Sequence, residues 1–198
     1  MFRLQVSDHV SLQLFERHHA ETLFALVDAN RAHLREWLGW VDGTTDAITY
    51  QEVVIPAWLQ QFADGNGFTC GIYLQEELVG TIGLHAIDRH LGQTSIGYYL
   101  GEKGLGKGVM TDVVRFVTHY CFETLGLNRV VIECVRRETS GADESRNDSA
   151  SRKKTSYETP RNYTGRITTS RSMRCYDGTG RKRRRWQHAH RANETSDL

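Results

Sequence analysis

The aliphatic residues of this chain are almost all confined to its first 135 residues, and this boundary constrains the fold more than any other feature. From the set Val, Ile, Leu, Met and Phe, residues 136–198 contain only Ile167, Met173 and Leu198. A segment so poor in apolar residues cannot bury enough surface to offset the entropy lost on ordering. We therefore expect one folded domain over residues 1–135, followed by a disordered tail over residues 136–198.

Charge divides at the same boundary. Residues 1–135 carry 9 Lys and Arg against 16 Asp and Glu, a net charge of −7, whereas the tail carries 16 against 8, a net charge of +8. The tail includes the run RKRRR at 181–185. Three interpretations of it stay open at this point: a basic arm that binds RNA or another anion, a solvated extension, or a segment outside the functional reading frame.

The sequence does not indicate a membrane protein, a secreted protein or a metal-binding protein. No apolar run approaches the roughly 18 residues needed to span a bilayer, and the N-terminus lacks a basic segment followed by an apolar one. The cysteines share no CxxC spacing, and they are Cys70, Cys121, Cys134 and Cys175. The first three have apolar neighbours, so we expect buried reduced thiols, a cytoplasmic location and no metal.

Hydropathy periods within residues 1–135 predict alternating strands and helices. Strands are expected at Val10–Phe15, Phe68–Leu74, Leu78–Leu84, Thr94–Leu100 and Arg129–Val135. Helices are expected at His18–Val27, Asn30–Trp40, Thr44–Asp64 and Val109–Leu125. In the third helix, Val53 and Phe62 are among the residues spaced to face inward. The fold class is therefore α/β (α+β), a mixed, mainly antiparallel sheet flanked by helices, with one βαβ crossover.

The crossover begins with a glycine-rich stretch, GEKGLGKGVM at 101–110, which we name the glycine turn. It comes after an apolar strand and leads into an amphipathic helix. That order leaves free backbone N–H groups at a helix N-terminus, which suits a phosphate or pyrophosphate. The pattern also fits a plain strand–turn–helix connection, because glycine-rich turns are common.

Two tryptophans, Trp37 and Trp40, lie at the end of the second predicted helix. Large aromatic side chains beside a turn fit either core packing or the wall of a substrate groove. His85 and Asp88 fall in the loop beside the strand ends, where they would contact a substrate amine or serve the loop structure. Both alternatives stay open for each pair.

The first 135 residues of the chain resemble the GCN5-related N-acetyltransferases (GNAT). The similarity rests on the order of elements, on Ile96–Leu100, on GKG at 106–108 and on LGLNRV at 125–130. NRAHLREWLGW at 30–40 is similar to a signature of the ribosomal-protein N-acetyltransferases of the RimJ/RimL type, and it is the more specific match. The resemblance covers residues 4–135. It implies a GNAT fold and direct acetyl transfer, in a ternary complex, from acetyl-CoA to an amine such as a ribosomal-protein N-terminus.

The resemblance also implies where acetyl-CoA binds. Its pyrophosphate would lie on backbone N–H groups of Leu105 to Met110, and its pantetheine arm would lie along Gly97 to Leu100. The implied cofactor-binding residues are Gly97, Tyr98, Tyr99, Leu100, Leu105, Gly106, Lys107, Gly108, Val109 and Met110. Leu105 and Met110 depart from the residues usual in the family turn, but backbone donors survive both changes.

Acetyl transfer needs a proton acceptor for the amine, a donor to the thioester oxyanion and a proton for the CoA thiolate. Glu133 is similar in place to the base of some family members, and it fits an outward-facing sheet residue equally well. The backbone N–H near Tyr99 is the expected oxyanion donor. Trp37, His85 and Asp88 are the expected substrate contacts, whereas no residue present is assigned as the acid. No membrane or specific nucleic-acid partner is expected, and the alternative function is a non-catalytic protein that binds anions or RNA through its tail.

The family continues with a segment like NxxSRxxPERxGFxxEG, which the tail lacks. Permitted codons for residues 137–154, shifted by one nucleotide, can encode GNEWSRRIAERFGFQEE. This is close to the family segment, so the C-terminal part is expected to be frameshifted. The chain as written is then expected to be poorly stable and weakly active.

Overall fold

The computed structural model describes residues 3–135 and 152–158, with the backbone alone at 133–135 and 152–158. In this part of the chain the strands form one sheet in sequence order. They are β1 (Arg3–Gln5), β2 (Val10–Leu14), β3 (Gly67–Leu74), β4 (Glu77–Asp88), β5 (Gln93–Leu100), β6 (Arg129–Val135) and β7 (Arg152–Glu158). Neighbours are antiparallel except β5 and β6, which are parallel. The expected mixed, mainly antiparallel sheet is confirmed.

Helices cover both faces of this sheet. They are α1 (Ala20–Ala29), α2 (Arg31–Leu34), α3 (Ala47–Thr49), α4 (Ile55–Ala63) and α5 (Val109–Glu123). A π-helical turn, Tyr50–Val54, joins α3 to α4. The crossover between β5 and β6 contains α5, as expected. No described helix is both long and apolar enough to cross a bilayer.

Each face of the sheet has its own core. On one face the buried stripe of α5, including Val113 and Val117, packs on strand residues such as Ile96. On the other face α1 and the α3–α4 region cover a second cluster, against which Tyr99 packs. Because successive strand residues point to opposite faces, Gly97 and Tyr99 lie on the α1–α4 face, away from α5.

Cys70 and Cys121 are buried free thiols, as expected. Burial raises the pKa of each thiol to about 12. Both are therefore protonated and unreactive at neutral pH. The side chain of Cys134 and all of Cys175 lie outside the described residues.

The tail contributes one strand where disorder is expected. Arg152–Glu158, as β7, pairs antiparallel with β6 along its whole length. An edge strand presents unpaired N–H and C=O groups that accept a neighbour through backbone bonds alone. Hydropathy takes no account of this, so the expectation of disorder is wrong for residues 152–158. The remainder of the tail lies outside the described residues.

β4 runs four residues beyond its expected end at Leu84. His85 and Asp88 therefore lie in a strand, and their expected placement in a loop is wrong. A β-bulge shifts the register between these two residues, and Ala86 has φ of +40°. The bulge interrupts the alternation of side chains, which hides the end of the strand in the sequence.

Candidate functional site

The parallel strands β5 and β6 separate partway along their length. Their pairing runs from Gln93–Arg129 to Ile96–Ile132, and no later pair of the two strands is present in the described residues. β5 nevertheless continues to Leu100 and keeps its register with β4. The sheet therefore opens between β5 and β6 beyond Ile96. We name this gap the opening.

The backbone of β5 directs alternate N–H groups towards the opening. The Gly101 N–H donates to the Val79 carbonyl on the β4 side at 2.8 Å. In an antiparallel pair every second residue exchanges such bonds. The Tyr99 N–H therefore points to β4, whereas those of Tyr98 and Leu100 point to the opening. Of the N–H groups near Tyr99, those of its two neighbours therefore face the opening, and that of Tyr99 does not.

The glycine turn carries the chain from the end of β5 into α5. Gly106 and Gly108 have φ values of +71° and +76°. An added Cβ at either position would meet nothing within 4 Å. The left-handed backbone, rather than crowding, therefore requires glycine here, and the space above the turn is open.

Unpaired backbone donors converge at this turn. The first hydrogen bond of α5 runs from the Asp112 N–H to the Gly108 carbonyl at 3.1 Å. Among the described residues, the N–H groups from Gly106 to Thr111 have no acceptor. The Leu105 N–H is used by the Glu102 carbonyl at 3.1 Å, so the free donors begin one residue later than expected. Such donors at the positive end of a helix dipole fit an anion such as a pyrophosphate.

Lys107 adds a cationic side chain beside these donors. Together with Val109 and Asp112 it lines a cavity of about 390 Å³ between α5 and the ends of the strands. Ser7 and His9 also line this cavity. The cation therefore lies at one side of the helix N-terminus.

Asn30 connects the glycine turn to α1. Its side-chain amide donates to the Leu26 carbonyl at 2.8 Å, and its side-chain oxygen accepts the Glu102 N–H at 2.8 Å. An added Cβ on Gly101 would lie 2.7 Å from Asn30 Nδ2, so glycine leaves space for this contact. The first residue of the 30–40 signature thus positions the turn. Sequence reasoning missed this role because 72 residues separate the partners.

Replacing Asn30 with Ala is expected to weaken acetyl-CoA binding about 10-fold, or about 1.4 kcal/mol. The turn would lose its link to α1 and leave the Glu102 N–H without its acceptor. Asn66→Ala is the matched control, because Asn66 Oδ1 accepts the Ile87 N–H at 2.9 Å away from the turn. Isothermal titration measures both variants, and equal losses would contradict the positioning role.

Aromatic side chains lie against β5 on the α1–α4 face. The ring centroids of Trp40 and Tyr99 are 5.7 Å apart. Trp40 is 43% exposed and Trp37 is 37% exposed. This exposure favours a groove wall over core packing for both tryptophans. Trp40, absent from the expected substrate contacts, is the one whose ring contact with β5 is described.

His85 lies at the start of the opening. It is opposite Ser95 on β5, and a Cβ on Gly97 would collide with its Nε2. The imidazole thus rests over Gly97, the first residue of β5 beyond the last pair with β6. His85 is exposed overall, and partial burial of its imidazole lowers the pKa of His85.

The two expected carboxylates have different surroundings. Asp88 accepts the Leu91 N–H at 2.8 Å, which engages it in the turn between β4 and β5. Glu133 directly follows Ile132, the last residue of β6 that pairs with β5, and is opposite Lys154 on β7. Its backbone is therefore beside the opening, and its side chain lies outside the described atoms.

The opening and the unpaired donors suit an extended, phosphate-bearing ligand beside a mixed sheet. A family model described as Acetyltransferase (GNAT) domain matches residues 9–140. The chain belongs to this family and is an acetyl-CoA-dependent N-acetyltransferase.

Relatives within the family include enzymes named for ribosomal proteins. YdaF of Bacillus subtilis (strain 168), named a candidate ribosomal N-acetyltransferase, is 38% identical over 132 residues, 67% of this chain and 72% of that protein. The ribosomal-protein-serine acetyltransferase of Escherichia coli (strain K12) is 26% identical over 132 residues, 66% of this chain and 73% of that protein. The structure of RimL, a ribosomal L7/L12 α-N-protein acetyltransferase in complex with coenzyme A, superposes with a TM-score of 0.64 at 25% identity, covering 69% of this chain and 77% of that one. The RimJ/RimL-type resemblance is confirmed.

Proposed function

We propose that this protein transfers the acetyl group of acetyl-CoA to the N-terminal amine of a ribosomal-protein-like substrate, directly and within a ternary complex. The observation that carries the proposal is the opening beyond Ile96 and Ile132, located directly before the glycine turn. The relatives that are named for ribosomal proteins support this acceptor class.

On this proposal one strand and one turn hold acetyl-CoA. The unpaired N–H groups of Gly106 to Met110 bind the pyrophosphate, and Lys107 adds a positive charge beside it. The pantetheine arm lies along Gly97–Leu100, where β5 extends beyond its last described pair with β6 and an extended chain can lie beside it. An N–H of Tyr98 or Leu100 donates to the thioester oxygen as negative charge develops there.

Two described thiols of this domain are consistent with direct transfer. A covalent relay through cysteine would need a thiolate within reach of the thioester. Cys70 and Cys121 are buried in the core, and burial raises the pKa of each to about 12. Neither of these two described thiols supplies such a nucleophile, which is consistent with attack of the amine itself on the acetyl carbon.

The acceptor reaches the thioester from the α1–α4 face on this proposal. Trp40 lies there, 43% exposed, with its ring against that of Tyr99, and Trp37 is the other exposed tryptophan of the same segment. Burial and the neighbouring Tyr50 raise the pKa of Tyr99, so the phenol keeps its proton. His85 and Glu133 flank the opening from β4 and β6, and either position is compatible with taking a proton from the amine.

A choice of acceptors tests the proposal. The 198-residue chain is incubated with acetyl-CoA and a peptide with a free N-terminus, the same peptide with a blocked N-terminus and one lysine, or a polyamine. We expect a 42 Da mass increase on the free N-terminus only, and intersecting rather than parallel lines in two-substrate kinetics. Acetylation of the polyamine alone, or parallel lines, would contradict it.

A further inference from the structure

The imidazole of His85, at the start of the opening, is positioned for proton transfer as well as for contact with the substrate. We infer that His85, rather than a carboxylate on β6, accepts the proton that the acceptor ammonium must lose before attack. This role rests on the proposed acetyl transfer. It assigns the proton acceptor to β4, a strand on the far side of β5 from Glu133.

The backbone around His85 holds the ring at the reacting end of the opening. His85 and Ser95 are directly paired, and the Thr94 hydroxyl donates to the His85 carbonyl at 2.9 Å. The ring then extends diagonally over Gly97, where a side chain would displace it. Gly97 is also where β5 loses its pairing with β6. A thioester lying along Gly97–Leu100 would therefore lie beside this imidazole.

The described residues nearest to His85 in the sheet and on α4 are uncharged. His85 pairs with Ser95 on β5 and with Gly67 on β3, its ring lies over Gly97, and Gln61 of α4 donates to the carbonyl of the preceding residue, Leu84. Beyond the bulge, Asp88 is engaged with the Leu91 N–H, and Arg89 donates to the Gly65 carbonyl at 3.5 Å. Burial is then the cause of the lowered pKa of His85. A histidine with a pKa below its usual value is a free base at pH 7.

The proposed step balances in protons and electron pairs with its two reactants, the acceptor ammonium and acetyl-CoA. His85 Nε2 takes one proton from the ammonium, and the freed lone pair attacks the carbonyl carbon of the thioester. A C–N bond forms and the C–S bond breaks, so that CoA leaves as a thiolate. The second proton of the amine neutralises that thiolate, and His85 returns its own proton to water.

The test compares kcat/KM of His85→Gln with that of the unmodified 198-residue chain from pH 6 to 9.5, using the peptide with a free N-terminus. General-base catalysis contributes about 100-fold or more, so we expect at least that loss near pH 6.5. A peptide α-amine has a pKa of about 7.7–8.0, so it arrives neutral at higher pH. The loss should therefore shrink to a few-fold above pH 9, and added imidazole should restore His85→Ala.

Control variants separate a proton acceptor from a structural residue. His90→Gln changes an exposed histidine in the adjoining turn and should leave the profile unchanged. Acetyl-CoA affinity of His85→Gln, measured by isothermal titration, should equal that of the unmodified chain. A loss that is uniform across pH, or the pH-dependent loss in Glu133→Gln instead, would overturn the role of His85 alone. If both the unmodified chain and the chain with its reading frame restored bind acetyl-CoA and acetylate no amine, the proposed function is overturned, and this role with it.

Discussion

Glutamate in place of Gly108 is expected to weaken the binding of acetyl-CoA about 100-fold, which corresponds to about 2.8 kcal/mol. The added carboxylate would project into the open space above the turn, where the pyrophosphate is proposed to bind. Two like charges about 4 Å apart near a protein surface repel by about 4 kcal/mol, so a 100-fold effect is within reach. Isothermal titration with acetyl-CoA measures it directly.

Gly126 provides the matched control for this prediction. It also has a left-handed backbone, with φ of +65°, and an added Cβ there would meet nothing within 4 Å. It lies beyond the C-terminus of α5, so Gly126→Glu should incur a similar strain of about 1–2 kcal/mol without contact with the ligand. Equal affinities of Gly108→Glu and Gly126→Glu for acetyl-CoA would contradict the anion site.

Restoring the reading frame after Val135 is expected to change both stability and turnover. We propose that the tail is a frameshift product, because the family match ends at residue 140 and the aliphatic pattern ends at residue 135. The shifted frame supplies an amphipathic segment that the domain lacks, and two or three buried aliphatic residues contribute roughly 1.5–3 kcal/mol each. We expect the restored chain to unfold at least 10 °C higher and to turn over at least 100-fold faster.

Sequencing of the gene and calorimetry of both chains test this proposal. The chain as written should unfold broadly, with weak turnover, while the restored chain gives one cooperative transition. A single confirmed frame, together with a cooperative transition and full turnover for residues 1–198, would contradict the frameshift. Loss of activity on removing the tail would do so as well.

The central strands and α5 could be predicted because their patterns are long and regular. The sequences of β3 and β5 place larger apolar or aromatic side chains at every second position, and α5 has an uninterrupted apolar stripe. β1 could not be predicted, because its three residues are all exposed and carry no alternation. β7 was missed because it joins the sheet through its backbone, whereas hydropathy reports side chains.

One irregular turn explains an error in the third predicted helix. Val53 and Phe62 are spaced to face inward, but they are 63% and 52% exposed. The π-helical turn Tyr50–Val54 adds a residue to the helical repeat and rotates the rest of the helix about its axis. A period of 3.6 residues cannot include that rotation, so the inward assignment is wrong for both residues.

The site was partly predictable for a similar reason. The glycine turn has a local signature, because left-handed glycines before an amphipathic helix can be found from neighbouring residues. The contact of Asn30 with Glu102 and that of Trp40 with Tyr99 join distant segments. The position of His85 over Gly97 depends on strand register and on a bulge. No local pattern reports these three features.

Amide chemical shifts of the ¹⁵N-labelled chain, titrated with acetyl-CoA, test most directly whether the opening and the glycine turn form the acetyl-CoA site. The predicted result is that the largest shifts fall on Gly106 to Met110 and on Gly97 to Leu100, and that Gly108→Glu abolishes them while Gly126→Glu does not. Shifts confined to the basic tail, with the turn and the end of β5 unchanged, would contradict this site.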